Sequence, residues 1–186
     1  MPIVLAGATS GSTTVQATDA VTATLTLPSS TGTLISTATT GQAISPLALP
    51  AGSVIQTVTA SGTSSTVTSS ATFVSTGFSA SITPKSSSSK IIIMILGSFT
   101  NLLSSTGQSV LTIYRNSTNI GNGNNGLAFC YSATAGQMAP NIGTTDLPAT
   151  TSSTSYTLYI RNAYSGNVDW NGNNVLSTMV LMEVAV

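Results

Sequence analysis

The feature that most limits the possible folds of this chain is its shortage of charge. Only eight of its 186 residues are ionised at neutral pH, histidine is absent, and serine with threonine make up about a third of the sequence. Thr, Val and Ile favour strands, while Gly, Ser, Asn and Pro supply turns. No long segment places Leu, Ala, Glu and Lys at helical spacing. The composition therefore predicts an all-β protein.

The same shortage limits the chemistry that the chain can perform. General acids and bases in enzymes are usually His, Asp, Glu or Lys side chains. A net charge of zero without a basic stripe also argues against a nucleic-acid partner. We therefore expect a non-enzymatic structural or binding protein with no catalytic residues, no metal and no cofactor. The charged side chains are Asp19, Asp146, Asp169, Glu183, Lys85, Lys90, Arg115 and Arg161.

Two regions of the chain differ in their supply of large side chains. Residues 1–50 contain no aromatic residue, and their clearest predicted strand is 21–27. Such a segment can hardly bury a core alone, so we predict an extended β arm that lies against another surface. Residues 51–186 are predicted to form an antiparallel, jelly-roll-like β-sandwich of about eight strands.

Apolar or alternating segments predict the strands of this second region. The run 91–96 is apolar throughout, which is typical of a central strand covered on both faces. Residues 61–71 are rich in Ser, Thr and Gly and are predicted to form a surface loop. Glu183 lies in an apolar final strand and needs either a partner, for which Arg115 and Arg161 are the candidates, or a solvated edge. The predicted strands are 54–59, 78–83, 91–96, 109–115, 126–132, 156–161 and 178–186.

Cys130 and the apolar runs bear on the expected compartment. A single cysteine allows no disulfide within the chain, and its apolar neighbours predict a small buried side chain. The first residues lack the basic and apolar regions of a signal peptide. The longest apolar run is too short to cross a bilayer. We expect synthesis in a cytoplasm, no membrane insertion, and exit by a route other than secretion.

Two short motifs are imperfect matches to ligand-binding loops. Residues 121–126 read GNGNNG, but a dinucleotide site needs a helix after this loop, and a strand-like segment follows. Asn-Gly pairs instead favour a hairpin turn. Residues 169–174 are similar to the start of a calcium loop. However, Asn174 occupies the position of its glycine, and Val180 that of its glutamate, so a turn is expected.

Other polar and aromatic residues leave alternatives open. The sequon at 116–118 means little without a secretory signal. Asp146 and Asp169 have the residue type of a glycosidase pair, but the sequence cannot bring them together, and acids and aromatics are otherwise scarce. Flat aromatic rings beside Asn suit sugars, although burial in the core or in a subunit contact is the favoured interpretation. The aromatic candidates are Trp170, Tyr164, Tyr131 and Tyr159.

Three segments carry a resemblance to a known family. They read GFSASITPKSSSSKI at 77–91, DLPATTSSTSY at 146–156, and LMEV at 181–184. In this order they resemble a domain common in virion proteins of tailed bacteriophages, often described as tail-fibre-like. The similarity spans about residues 53–186, and TLTLPSSTGTL at 24–34 is similar to leader segments of phage structural proteins. The resemblance implies a trimeric β-sandwich on a virus particle, without catalytic residues.

Two functions follow as expectations. The first is a homotrimeric capsid decoration or cement protein on the virion surface, assembled in the host cytoplasm. Its residues 1–50 would attach to the major capsid protein or another virion protein. The alternative is a short head or tail fibre that binds a host-cell receptor, with a host-surface glycan as partner. Hundreds of copies on the shell would favour the first, and a few sets of three at a vertex or tail the second. A carbohydrate-active enzyme is the third and least favoured class.

Overall fold

The computed structural model describes residues 3–6, 12–15, 49–97, 100–102 and 107–186. The chain separates into two compact units, residues 1–42 and 43–186. In the first unit, β1 (Ile3–Ala6) and β2 (Ser12–Val15) pair in antiparallel register. The rest of the predicted arm, including the strand expected at 21–27, lies outside the described residues. The predicted boundary after residue 50 stays a prediction.

The described part of the second unit consists of strands, turns and one short 3-10 helix at Gly123–Asn125. The prediction of an all-β chain is therefore confirmed. The strands are β3 (Val54–Gly62), β4 (Thr66–Thr68), β5 (Val74–Ile82), β6 (Lys90–Leu96), β7 (Thr100–Leu102), β8 (Gly107–Arg115), β9 (Thr118–Asn119), β10 (Ala128–Ser132), β11 (Gly136–Met138), β12 (Ile142–Asp146), β13 (Thr154–Asn162), β14 (Val168–Trp170) and β15 (Ser177–Val184).

These strands form two large antiparallel sheets and a smaller one. Sheet I has the order β12-β6-β15-β3, sheet II the order β10-β8-β13-β5 with β9 beside β8, and sheet III the order β11-β7-β14-β4. In sheets I and II the pairing is nested: β3 pairs with β15, β5 with β13, β6 with β12, and β8 with β10. Eight strands paired in this way and divided between two sheets form a jelly roll, which confirms the predicted sandwich.

The core lies between sheets I and II and is built by alternation along each strand. In β5, Phe78, Ala80 and Ile82 are buried, while the serines between them are exposed. Each fully buried Leu or Ile stabilises the fold by about 1.5–3 kcal/mol. The other fully enclosed large side chains of the two sheets are Ile91, Ile93, Leu111, Ile113, Tyr156, Leu158, Ile160, Met179 and Leu181.

Strand β6 departs from the expectation that both of its faces are covered. It is central, as predicted, because it pairs with β12 on one side and β15 on the other. Ile91, Ile93 and Ile95 are buried, but Ile92 and Met94 point to the outer face and are only half-buried. The prediction of double cover is wrong for the described unit. The outer face of sheet I is therefore an apolar surface rather than a second core.

Several short strands were missed by the sequence patterns. The predicted loop at 61–71 is wrong in part, because β3 continues to Gly62 and β4 occupies Thr66–Thr68. Strand β12 contains Gly143 and only one fully buried residue, Ile142, because it lies at the edge of sheet I. Short edge strands carry little periodic signal.

Candidate interaction surfaces and buried polar clusters

A partly buried polar cluster joins the two large sheets. Arg115 on β8 and Tyr156 on β13 are opposite each other in sheet II, and Asp146 ends β12 in sheet I. Nη1 of Arg115 donates to both carboxylate oxygens of Asp146, at 2.9 and 3.0 Å, and the Tyr156 hydroxyl donates to Oδ2 at 2.8 Å. Burial raises the pKa of Tyr156 strongly, and its bond to the Asp146 carboxylate raises it further. The cluster therefore fixes one sheet against the other.

Glu183 forms the second buried cluster, and its partners differ from those predicted. Its carboxylate accepts hydrogen bonds from the backbone N–H groups of Lys85 (2.7 Å) and Ser86 (3.2 Å). The side-chain amide of Gln56 donates to the other oxygen at 2.5 Å. The prediction of an arginine partner is wrong, since Arg115 binds Asp146 instead. The turn between β5 and β6 therefore stabilises the Glu183 carboxylate with uncharged N–H donors, where the prediction had placed an arginine.

The pKa of Glu183 results from two opposing effects. Complete burial of the side chain acts to raise the pKa. The nearby Ser89 hydroxyl, the Gln56 amide and the two backbone N–H groups stabilise the charged form, and together they lower the pKa below its ordinary value. The Ser89 hydroxyl acts by proximity, since its geometry falls short of a hydrogen bond. Glu183 is therefore a charged anchor for the turn.

The 169–174 segment forms a tight turn at the end of β14. Asp169 is buried; its backbone oxygen accepts from the Thr100 hydroxyl at 2.6 Å and its carboxylate from the N–H of Gly172 at 3.3 Å. Asn171 adopts a left-handed conformation (φ 57) and bonds Val175. Over the residues the structure describes, no three His, Cys, Asp or Glu side chains gather as a metal site.

The two aspartates considered as a glycosidase pair belong to different parts of the fold. Asp146 ends β12 in sheet I and binds Arg115 and Tyr156, whereas Asp169 lies on β14 in sheet III and bonds within its own turn. The fold therefore gives these two carboxylates separate structural roles rather than a shared cleft.

The glycine-rich 121–126 segment forms a turn that packs on the outer face of sheet II. Asn122 and Gly126 close it by a β-bridge around the 3-10 helix, and strand β10 follows as expected. Gly126 has a φ of 62, and a Cβ there would come within 2.4 Å of the Leu111 carbonyl oxygen. Only glycine fits this close approach. The sequon residue Asn116 forms the adjacent β8–β9 turn and accepts a hydrogen bond from the Ser155 N–H.

The aromatic residues highlighted by the sequence divide between core and surface. Trp170 is fully buried, with its ring centroid 5.9 Å from that of Phe78. Tyr159 stacks on Tyr114 at 3.9 Å on the outer face of sheet II. Tyr131 and Tyr164 are exposed and meet edge to face at 6.4 Å. The core interpretation is therefore right for Trp170 and wrong for Tyr131 and Tyr164.

A cleft of ≈ 450 Å³ opens beside these exposed tyrosines. The strand register places Phe129 opposite Val110, and Val110 opposite Arg161, in one row across three strands. Gln108 lies one row further, opposite Tyr131, and Asn125 reaches the cleft from the glycine-rich turn. Phe129 is 65% exposed, with buried Cys130 beside it, as predicted for Cys130. We call this site the aromatic cleft; its residues are Gln108, Val110, Asn125, Phe129, Arg161 and Ala163.

Sequence reasoning missed Phe129, Gln108 and Arg161 as members of one site. The usable signal was the alternation of Phe129 and Tyr131 about Cys130, which places both rings on one face of a strand. The pairing of three distant strands, which brings Arg161 next to Val110, leaves no local pattern in the sequence.

No protein-family model matches the chain, and no curated protein shows significant sequence similarity to it. The similarity to phage virion domains therefore remains an expectation from the sequence. Among the residues that the structure describes, no helix has the length and apolarity needed to cross a membrane.

Proposed function

We propose that this chain is a non-enzymatic structural protein of a tailed-bacteriophage virion, a homotrimeric decoration or cement protein on the capsid surface. The observation that carries the proposal is the use of the three carboxylates that the structure describes; Asp19 lies outside the described residues. Asp146, Asp169 and Glu183 each accept hydrogen bonds from groups of the fold itself. In this proposal the three carboxylates stabilise the scaffold through these bonds.

The phage-like segments support this proposal by the roles their residues take. The 77–91 segment supplies the turn whose N–H groups bind Glu183, and the 181–184 segment supplies Glu183 itself. The 146–156 segment supplies both Asp146 and Tyr156. The residues that carry the resemblance thus include both carboxylates of the two polar clusters and part of their partners, whereas Arg115 and Gln56 lie outside the three segments.

The outer face of sheet I supports association between copies. Met94 is opposite Val180, and Ile92 is opposite Met182, on neighbouring strands β6 and β15. All four side chains are half-buried in the single chain. We call this set the apolar stripe. Its burial against sister chains removes apolar surface from water and requires no charge to be desolvated.

Attachment to the particle is assigned in this proposal to residues 1–50, with the major capsid protein or another virion protein as partner. Deletion of residues 1–50 is then expected to leave a folded sandwich that no longer binds particles. Binding of the shortened chain to particles that lack the protein, measured by co-sedimentation, tests this assignment. Retained binding would contradict it.

The decisive experiment removes the protein from the particle. Particles without it are expected to lose resistance to heat and osmotic shock while still adsorbing to cells, and intact particles are expected to carry hundreds of copies. In solution, the mass of the isolated protein should be that of a trimer, and Met94→Glu should reduce it to a monomer. Leu176→Ala, a change at an exposed residue outside the apolar stripe, is the matched control.

The alternative is a short head or tail fibre that binds a host-cell receptor. The aromatic cleft is the observation in its favour, because exposed rings beside amide side chains are common in ligand sites. Loss of adsorption from particles that remain heat-resistant, together with a few sets of three copies at a vertex or the tail, would support this alternative and contradict the cement role.

A further inference from the structure

The aromatic cleft on sheet II contains groups that the proposed shell role does not use. Its floor is Val110, which is 2% exposed, and its wall is Phe129, whose ring is largely exposed. Tyr131 and Tyr164 extend the aromatic surface at 50% and 67% exposure. Several large rings exposed to water in one small area are typical of a binding surface, whereas apolar residues exposed singly are common on any protein.

Two amide side chains at this cleft have unused hydrogen-bonding capacity. Within the described part of the chain, the side chains of Gln108 and Asn125 make no hydrogen bond. They come from β8 and from the glycine-rich turn. A carboxamide both donates and accepts, as does a sugar hydroxyl. The cleft therefore combines flat apolar rings with side chains that both donate and accept hydrogen bonds. These groups match the apolar C–H face and the hydroxyls of a sugar.

Arg161 gives the cleft a positive charge. Its guanidinium donates to the backbone oxygens of Asn124 and Ala71 and lies over the Phe73 ring, 5.4 Å from the centroid. Among the described residues, the carboxylate ion pair belongs to Arg115 and Asp146, so no carboxylate neutralises Arg161. A guanidinium has more N–H donors than these bonds use. The uncompensated charge favours an anionic group on the ligand.

We propose that the aromatic cleft binds a saccharide unit that carries a carboxylate, such as a uronic acid or a sialic-type acid. The sugar ring stacks on Phe129 or Tyr131, its hydroxyls bond Gln108 and Asn125, and its carboxylate faces Arg161. The cleft volume of ≈ 450 Å³ falls within the range of about 300–1,000 Å³ typical of ligand sites. This site goes beyond the cement role and does not depend on it; in a fibre it would be the receptor site.

The first test uses the isolated full chain on a glycan array with sialylated, uronic-acid and neutral oligosaccharides. We expect binding to the carboxylated glycans, with an affinity that falls several-fold when salt is raised, because salt screens the contact with Arg161. Absence of binding, or equal binding of neutral glycans without salt dependence, would overturn the proposal.

Variants then locate the site. Phe129→Ala and Gln108→Ala are expected to weaken binding of the best carboxylated glycan at least about tenfold. The first removes the ring on which the sugar stacks, and the second removes a hydrogen-bond partner of its hydroxyls. Leu176→Ala, which removes a similarly exposed side chain elsewhere, should leave binding unchanged. Unchanged affinity in both cleft variants would refute the assigned site.

Arg161 needs a separate comparison because it also holds the glycine-rich turn. Arg161→Met should abolish the preference for carboxylated over neutral glycans, whereas Arg161→Lys should keep part of it. Gln108→Ala keeps the test decisive if Arg161→Met unfolds, since the Gln108 side chain makes no hydrogen bond to any described residue. Particles carrying Phe129→Ala should keep their heat resistance, so a failed saccharide site and a failed cement role give different results.

Discussion

The two large sheets share one inner architecture and differ on the outside. Sheet I presents the apolar stripe of Ile92, Met94, Val180 and Met182, with exposed Lys90 next to Ile92 on the same face of β6. Sheet II is covered by aromatic rings, Arg161 and the glycine-rich turn. An apolar stripe suits contact with a sister chain, whereas a face with a cleft and polar groups suits a small ligand. One sandwich can thus assemble through one face and bind through the other.

Two carboxylates of sheet I, Asp146 at the end of β12 and Glu183 on β15, are held in different ways. Asp146 is neutralised by Arg115 and bonded by Tyr156, while Glu183 is bonded only by uncharged donors within the described residues. A carboxylate without a cation relies entirely on well-placed N–H groups. The turn at Lys85 and Ser86 is therefore as important to sheet I as the ion pair is to the contact between sheets.

The largest expected effect comes from neighbouring residues on opposite faces of β6. Ile93→Asp places an unpaired charge in the core, at a cost of more than about 4 kcal/mol, and should prevent folding. Ile92→Asp places the same charge on the apolar stripe and should give a folded monomer. Circular dichroism and light scattering check both. A folded Ile93→Asp trimer would contradict the core assignment. A trimeric Ile92→Asp protein would show that the apolar stripe is not the contact between sister chains.

A smaller effect is expected from Glu183→Gln. The substitution turns an acceptor-only group into one that can present N–H to the donors of Lys85 and Ser86, and should cost about 2–3 kcal/mol. Denaturant unfolding at neutral pH measures the loss. Ser88→Ala, an exposed change in the same turn, is the control and should cost far less.

The pH dependence of the unfolding free energy distinguishes the loss of the Glu183 charge from a change in side-chain packing. Because folding lowers the pKa of Glu183, the charged carboxylate stabilises the native state above the ordinary glutamate pKa, and this contribution is lost as the pH falls through the lowered value. The wild-type chain should lose stability on acidification over this window, and Glu183→Gln should lose less. Equal acid sensitivity in both proteins would show that Glu183 is not the titrating anchor.

The smallest effect is expected from Tyr156→Phe, which removes one bond to Asp146 and leaves the Arg115 pair intact, at a cost of about 1 kcal/mol. Folding raises the pKa of Tyr156, so its contribution is present below the ordinary tyrosine pKa of 10.0 and is lost as the pH rises above it. Unfolding midpoints between pH 8 and 11 should fall less steeply for Tyr156→Phe. An unchanged slope would contradict the pKa direction.

The sequence predicted the sandwich well because its signal is local. Alternation in 78–83 and 156–161 marks a buried face without knowledge of the partner strand, and the burial of β5 and β13 follows it. The partners of Glu183 could not be predicted in this way. Two of them are backbone groups of a turn about a hundred residues earlier, and backbone N–H groups are the same in every sequence. The third is the Gln56 amide on β3, and no local pattern places it next to Glu183.

The aromatic cleft was partly visible for a similar reason. The sequence named Tyr131, Tyr164 and Trp170 alike as possible stacking residues and favoured burial for all of them, but only Trp170 is enclosed. Arg161 joins Phe129 only because β13 and β10 both flank β8. Strand order is a property of the whole chain, and short patterns do not encode it.

The position of β15 between β6 and β3 has a consequence for how the chain folds. Sheet I has a gap in its middle until β15 has emerged from the ribosome, so the sandwich cannot close before that point. Because β3 pairs with β15 far along the chain, the contact order is high, and folding should be slow on the scale of small domains. During that interval β3 and β6 expose unpaired edges, and the nascent chain is most vulnerable to aggregation or to pairing with a sister chain.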